Sequence, residues 1–192
     1  IYYLTQAANQ NYTEAQFKLG FIFYPGSFVK GDINKSIHYF TLAAEKNHLL
    51  SLLNLGGIYY IGYYIPQDIN KFIYYFSLAA EQNNSYAQCF LGHFYQEGYY
   101  KPIDINKSIY YYTLSAKQNN LISLVNLGST YYKGKYIKRD IEKAIYYFSK
   151  SSLQNDAYSL NTLGDIYFSG DGVARDVKKA FYYYSLAANL ND

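Results

Sequence analysis

The pair Leu-Gly recurs at 19–20, 55–56, 91–92, 127–128 and 163–164, each step being 36 residues with no insertion or deletion. Self-similarity at a fixed period constrains a chain more than any local propensity. A unit this short cannot bury its apolar face alone, so neighbouring units must stack. Other columns keep the same step: Gly26, Gly62, Gly98, Gly134 and Gly170, then Asp32, Asp68, Asp104, Asp140 and Asp176. Lys35, Lys71, Lys107, Lys143 and Lys179 follow, and Tyr39, Tyr75, Tyr111, Tyr147 and Tyr183 are each succeeded by Phe or Tyr. Asn11, Asn47, Asn83, Asn119, Asn155 and Asn191 close the units.

Two helical patterns fill each unit. Ala15, Leu19, Ile22 and Phe23 fall on one helical face, as do Ile33, Ile37, Phe40 and Ala44, and strand alternation is absent. The spacing predicts a helix A over 13–24, ending near Gly26, and a helix B over 32–46. The fold class is therefore all-α: a solenoid of antiparallel helix pairs. The expected organisation is one array, with 1–10 the end of a preceding helix B and repeats at 11–46, 47–82, 83–118, 119–154 and 155–192. The chain opens inside a helix on Ile rather than Met, which reads as a fragment of a longer protein.

The repeated small and polar residues have local explanations. Gly within a helix costs about 1 kcal/mol against Ala, so its retention at Gly20 and the equivalent positions predicts a contact with no room for a Cβ. Each column Asp stands just before the first apolar residue of helix B, the place of an N-cap whose carboxylate accepts a backbone N–H. The Lys three residues on pairs with that Asp or lays its stem across a neighbouring helix. Asn is the residue after Gly that best tolerates a left-handed helix end, which suits Asn47 and its equivalents. Five equivalent Asp–Lys sets argue for a joint rather than for five reactive centres.

Leu-Gly-x-x-Tyr is shared with tetratricopeptide repeats, whose period is 34. The last unit, with Leu163, Gly164, Tyr167, Gly170, Gly172, Val173, Asp176, Lys179, Ala180, Ala187 and Ala188, resembles the Sel-one-like repeat (SLR) family. The other units depart from it. Phe28, Tyr64, Tyr100 and Tyr136 replace the second loop Gly; Ser36, Phe72 and Ser108 replace the Ala after Lys; and Asn stands for the closing Gly. Phe72 is expected to require a local shift in helix packing. The resemblance implies a right-handed α-solenoid acting as an adaptor in protein complexes, without a catalytic role for the repeat. It also brings in relatives in endoplasmic-reticulum degradation complexes, activators of cell-wall synthesis, arrays beside kinase domains, and secreted proteins with a disulfide in each repeat. The single Cys89 disfavours the last group.

Composition narrows the function classes. The net charge of +3 is spread along the chain, and the basic stretch from Lys133 to Lys150 is broken by Asp140 and Glu142, which argues against a nucleic-acid surface. No apolar run is long enough to span a bilayer, and no signal peptide opens the chain. A lone cysteine favours a reducing compartment, so the expected location is cytoplasmic, or the endoplasmic-reticulum lumen if a signal peptide lies upstream. His38, His48 and His93 lack metal-ligand spacing, "SGDGVARD" lacks the strand of a phosphate loop, and no cofactor or metal is expected. The 28 tyrosines follow an AT-rich codon bias, and most occupy packing columns. The sequons at Asn11, Asn34, Asn83 and Asn106 are expected by chance in an Asn-rich chain.

In related solenoids the A helices line the concave face. The columns opposite the apolar stripe of helix A change from repeat to repeat while the framework does not. They supply the candidate partner-binding residues: Lys18, Phe21, Leu50, Asn54, Tyr86, Phe90, His93, Ile122, Asn126, Tyr158, Thr162 and Asp165. The expected function is a non-catalytic scaffold that binds a protein or peptide there. Two alternatives stand beside it: the accessory repeat region of a larger enzyme, above all a protein kinase, and an adaptor of an endoplasmic-reticulum degradation complex.

Overall fold

The computed structural model describes residues 1–27 and 30–190, so Phe28 and Asn191 lie outside the described residues. Among these are eleven helices and no strand: α1 (Tyr2–Asn9), α2 (Thr13–Phe23), α3 (Ile33–Ala44), α4 (Leu49–Ile61), α5 (Ile69–Glu81), α6 (Ser85–Glu97), α7 (Ile105–Ala116), α8 (Leu121–Lys133), α9 (Ile141–Ser152), α10 (Ala157–Ser169) and α11 (Val177–Ala188). The even-numbered helices are the A helices and the odd-numbered ones the B helices, as the 36-residue step predicts. The B helices of the five repeats begin one residue later and end one or two earlier than predicted, because the Asp is the cap and the last residues form the turn. Contacts divide the chain into two compact units, Ile1–Ala87 and Gln88–Asp192.

In the first unit the Leu-Gly pairs carry the A–B contact. Leu19, Leu52 and Leu55 are fully buried, and the Phe40 ring lies on the bare backbone of Gly20, where a Cβ would stand 2.5 Å from it. Phe76 covers Gly56 in the same way. Phe72, fully buried, packs its ring at a tilt 4.8 Å from Phe76 and 4.9 Å from Tyr60, whereas its counterpart Ser36 donates to the Gly20 carbonyl at 2.7 Å. One position thus takes either a large apolar side chain or a small hydroxyl that finds a backbone acceptor.

The column Asp and Lys form the joint at the start of helix B. Asp32 and Asp68 accept from the backbone N–H of Lys35 and Lys71 at 3.1 and 3.0 Å, worth on the order of 1 kcal/mol per cap. Their own N–H groups donate back to the carbonyls of Phe23 and Tyr59, at 2.8 and 2.9 Å, closing the loop on helix A. Each Lys does both things expected of it. Lys71 stands 3.9 Å from Asp68 and 4.5 Å above the Tyr59 ring, and that ring stacks on Tyr75 at 6.0 Å and 8°. Such an exposed cation–π contact adds about 0.5–1 kcal/mol.

The turn from B to A is set by asparagine. Asn47 has φ 59°, and the His48 N–H donates to the Ala43 carbonyl at 3.1 Å, which is the Schellman closure of a helix end. His48 then caps α4, its Nδ1 accepting the Ser51 N–H at 3.3 Å, while its Nε2 lies 3.7 Å from Glu14 of α2. In "QNNS" the two asparagines divide the work, since Asn83 takes φ 60° and Asn84 caps α6 through Ala87 N–H at 2.8 Å. Successive turns are pinned by side chains that reach back to the preceding left-handed Asn: Lys46 to the Asn11 carbonyl at 2.6 Å, and Gln82 to that of Asn47 at 2.9 Å.

The second unit repeats these devices. Tyr112, Phe148 and Tyr184 cover Gly92, Gly128 and Gly164. Lys107, Lys143 and Lys179 sit over Tyr95, Tyr131 and Tyr167, each stacked at 5.9 Å on its helix-B partner. Asp104, Asp140 and Asp176 cap their helices at 3.0 Å. Its loops add a bidentate ion pair in which the Arg139 guanidinium meets Asp171 of the next repeat, while Arg139 Nε holds the Tyr132 carbonyl at 2.8 Å.

Two adjacent glycines test the A–B contact. A Cβ at Gly56 would collide with the Phe76 ring, whereas nothing lies within 4 Å of one at Gly57. Gly56→Ala should cost about 1–3 kcal/mol through overpacking, and Gly57→Ala should gain about 1 kcal/mol of helix propensity; urea unfolding of the two variants gives the opposite signs. The loop ion pair predicts an acid dependence. Arg139 holds the Asp171 carboxyl below the ordinary carboxylate range, chiefly by hydrogen bonding. Its contribution is full above the unfolded pKa, near 4, and is lost as pH falls through the lowered folded value. Thermal melts from pH 6 down to about 2 should therefore show a shallower decline for Asp171→Asn than for the parent chain.

Candidate functional site

Helix A of each repeat buries its Ala/Leu/Gly edge against helix B and turns its other side outward, so the varied columns fall on one exposed helix face. In the first unit Phe21, Leu50 and Tyr86 are about half exposed, an unusual density of bare apolar surface. Lys18 pairs with Glu14 along α2 at 3.6 Å, and Asn54 returns its amide to the Leu50 carbonyl at 2.7 Å. The Tyr86 ring leans on Phe76 at 6.2 Å, which ties an exposed residue to the ring that covers Gly56.

In the second unit Ile122 is 60 % exposed and Tyr158 47 %, while Phe90 is half-buried. His93 is exposed, with Nδ1 3.7 Å from Glu97. Asn126 donates to the Ile122 carbonyl at 2.8 Å, as Asn54 does in its own repeat. Asp165 accepts the Tyr184 hydroxyl at 2.7 Å, and this hydrogen bond, with burial, pushes the Tyr184 pKa up to about 12. Thr162 differs from the rest of its column: it is only 7 % exposed and its hydroxyl donates to the Tyr158 carbonyl at 2.8 Å. A side chain this short does not clear the helix edge, so Thr162 offers a partner little surface.

Two of these residues, Asn126 and Tyr158, share a groove of about 590 Å³ in the second unit. Val125, Asn126, Ser129 and Thr130 of α8 line it together with Gln96 and Glu97 of α6. Ile103, Ile105 and Tyr136 supply apolar walls, and Lys133 and Lys135 stand at the α8 end. The Ser129 hydroxyl reaches the Tyr158 hydroxyl at 3.4 Å across it. Phe90, His93, Ile122, Thr162 and Asp165 do not line the groove. The helix columns could not reveal Gln96, Lys133, Lys135 and Tyr136, because these belong to helix ends and loops that fold over the face. The only signal was Tyr136, a bulky residue where the family pattern has Gly.

A larger space of about 720 Å³ on the helix-B side of this unit is lined by Tyr131, Asp140 and Lys143, whose polar groups already serve the repeat joint. Burial pushes the Cys89 thiol up, away from nucleophilic character. Among the described residues no cluster of three His, Cys, Asp or Glu side chains could hold a metal, and no helix is long and apolar enough to cross a membrane. A second exposed column repeats instead of varying: Tyr74, Tyr110, Tyr146 and Tyr182 of the B helices are each more than half exposed.

Tyr112 is the misfit beneath this face. It is fully buried, its hydroxyl has no hydrogen-bond partner among the described residues, and burial raises its pKa. Phe40, Phe76 and Phe148 fill the same position elsewhere without that penalty. An unpaired buried hydroxyl costs about 1–3 kcal/mol, so Tyr112→Phe should leave the helical spectrum unchanged and raise the melting temperature. Tyr184→Phe, which loses the bond to Asp165, should lower it.

The family model for the Sel1 repeat matches residues 1–12, 13–48, 49–84, 85–120, 121–156 and 157–192. Among solved structures, the chain is similar to c5321, a protective antigen of uropathogenic Escherichia coli strains with an SLR fold, at 29% identity and a TM-score of 0.82. That match covers 98% of this chain and 40% of the antigen, so the chain spans well under half of that relative's length. It is also similar to a Sel1 repeat protein from Oxalobacter formigenes, at 31% identity and a TM-score of 0.72, covering 97% of this chain and 77% of that one. Helicobacter pylori cysteine rich protein B matches at 28% identity and a TM-score of 0.51, over 72% of this chain and 99% of its own. No relative was found among curated proteins.

Proposed function

The chain belongs to the Sel1 repeat family, whose members are generally protein-interaction scaffolds, and from that premise we propose that it is a non-catalytic scaffold holding a segment of a partner protein on the outward face of its A helices. The observation that carries this reading is the groove of about 590 Å³, in which Asn126 and Tyr158 meet helix-end and loop residues. Its size falls in the range of built ligand sites, roughly 300–1,000 Å³. Further support comes from exposed aromatic and aliphatic side chains, Phe21, Leu50 and Tyr86 in one unit and Ile122 and Tyr158 in the other. Residues of these types dominate binding energy where partners dock. The framework supports the same division of labour, since its polar groups are consumed by caps and turns while the varied columns are left for contact.

The test compares two faces of one molecule. Proteins crosslinked to the chain in cells are identified, and each is then measured against purified variants that keep the parent helical spectrum. Tyr158→Ala and Tyr86→Ala, on the A face, should each weaken a bona fide partner about tenfold or more, as loss of a contact aromatic does. Tyr146→Ala, on the B face, should leave it unchanged. A partner that tolerates both A-face changes and is lost with Tyr146→Ala would overturn the proposal.

A further inference from the structure

The groove of the second unit also specifies the chemistry of its occupant, an inference that rests on the scaffold reading above. Lys133 and Lys135 stand at its mouth with exposed ammonium groups and no carboxylate partner among the described residues. They differ in this from Lys107, Lys143 and Lys179 of the same unit, each held by its own Asp within 4.0 Å. Lys135 rests 4.8 Å above the Tyr136 ring, which fixes the cation at the rim without neutralising it. One carboxylate shares the groove, that of Glu97, which lies 3.7 Å from Nδ1 of His93, an ion pair only where the imidazole is protonated. The groove thus carries two ammonium groups against one carboxylate, an excess of positive charge that favours an anion.

On the α6 side the requirement is the opposite one. The side-chain oxygen of Gln96 is buried with no hydrogen-bond donor, although the residue lines the groove. A buried amide oxygen left unpaired is unfavourable, and turning the Gln96 amide toward an N–H donor in the groove would relieve it. Between the two lie Ile103, Ile105, Val125 and Tyr158, which favour apolar side chains. A nucleic-acid backbone offers anions but no N–H donors along its length. An extended peptide offers a backbone N–H at every residue but proline, and acidic residues supply the carboxylate. We propose that this groove takes an extended acidic segment of a partner protein. A carboxylate sits between Lys133 and Lys135, a backbone N–H donates to Gln96 Oε1, and apolar side chains lie against Tyr158 and the isoleucines.

Short random peptides displayed on phage and selected on the purified chain test this directly. The selected sequences should place Asp or Glu beside apolar residues. Affinity for a synthetic selected peptide should fall about tenfold or more in the Lys133→Glu, Lys135→Glu double variant, and should weaken with added salt. Gln96→Leu should show opposite signs: a higher melting temperature for the free chain, because the orphaned oxygen is gone, and weaker peptide binding. Peptides whose binding needs Tyr158 but ignores both charge reversals would overturn the acidic occupant and leave the scaffold reading intact. Peptides indifferent to Tyr158, Lys133 and Lys135 together, or no selection at all, would overturn both. Displacement of a selected peptide by a single-stranded oligonucleotide at equal concentration would overturn the peptide in favour of nucleic acid.

Discussion

The structure depends on an aromatic ring packed directly against a helix that has no side chain at the point of contact. Glycine in a helix is a local liability, and here it is accepted in every repeat because Phe40, Phe76, Tyr112, Phe148 or Tyr184 fills the place of the missing Cβ. The ring brings far more buried area than the glycine forfeits in propensity. This contact fixes the distance between the two helices of a pair. Once that distance is set, the neighbouring aromatic of helix B can reach the helix-A ring and stack on it, and the column Lys can cover the stack. Leu-Gly, Tyr-Phe and Asp-x-x-Lys are therefore parts of one joint.

Most of that joint was legible in the sequence, because each part satisfies a backbone requirement that no other residue type meets as well. The cap Asp, the left-handed Asn and the crowded Gly all stand where a position-by-position reading places them. What the sequence left open was settled by geometry. Lys71 was a choice between Asp68 and a neighbouring helix, and at this spacing it serves both. Phe72 stood out as an oversized residue at a small position, and the structure buries it between Phe76 and Tyr60. The second asparagine of "QNNS" was hidden by the first. A turn residue and a cap can share a residue type, and only the sign of φ and the direction of the hydrogen bond separate them.

The outward face was less legible, for a physical reason. Framework positions are defined by helical periodicity, but a groove is defined by what folds over it. Asn126 and Tyr158 were found because they lie on the outward columns of the A helices; Lys133, Lys135 and Tyr136 were not, because they lie at the end of α8 and in the loop after it, off those columns. Thr162 shows the converse. Its column is outward in register, yet a short side chain bonded to its own helix backbone has no reach into solvent. Register thus identifies a face, while side-chain length decides which members of the face are surface.

A repeat protein spends its polar groups in a recognisable way, and this makes the exceptions informative. In the second unit the capping carboxylates, the turn amides and the joint lysines are paired within their own or adjacent repeats. Arg139 and Asp171 pair across consecutive loops. Against that background two ammonium groups facing one carboxylate and a buried amide oxygen without a donor, all lining one groove, stand apart from the framework. Groups that cost stability and serve no joint are where contact chemistry can be carried without disturbing the fold. The columns that do not repeat mark the face, and the coincidence of excess positive charge with a donor-less amide oxygen marks the place on it.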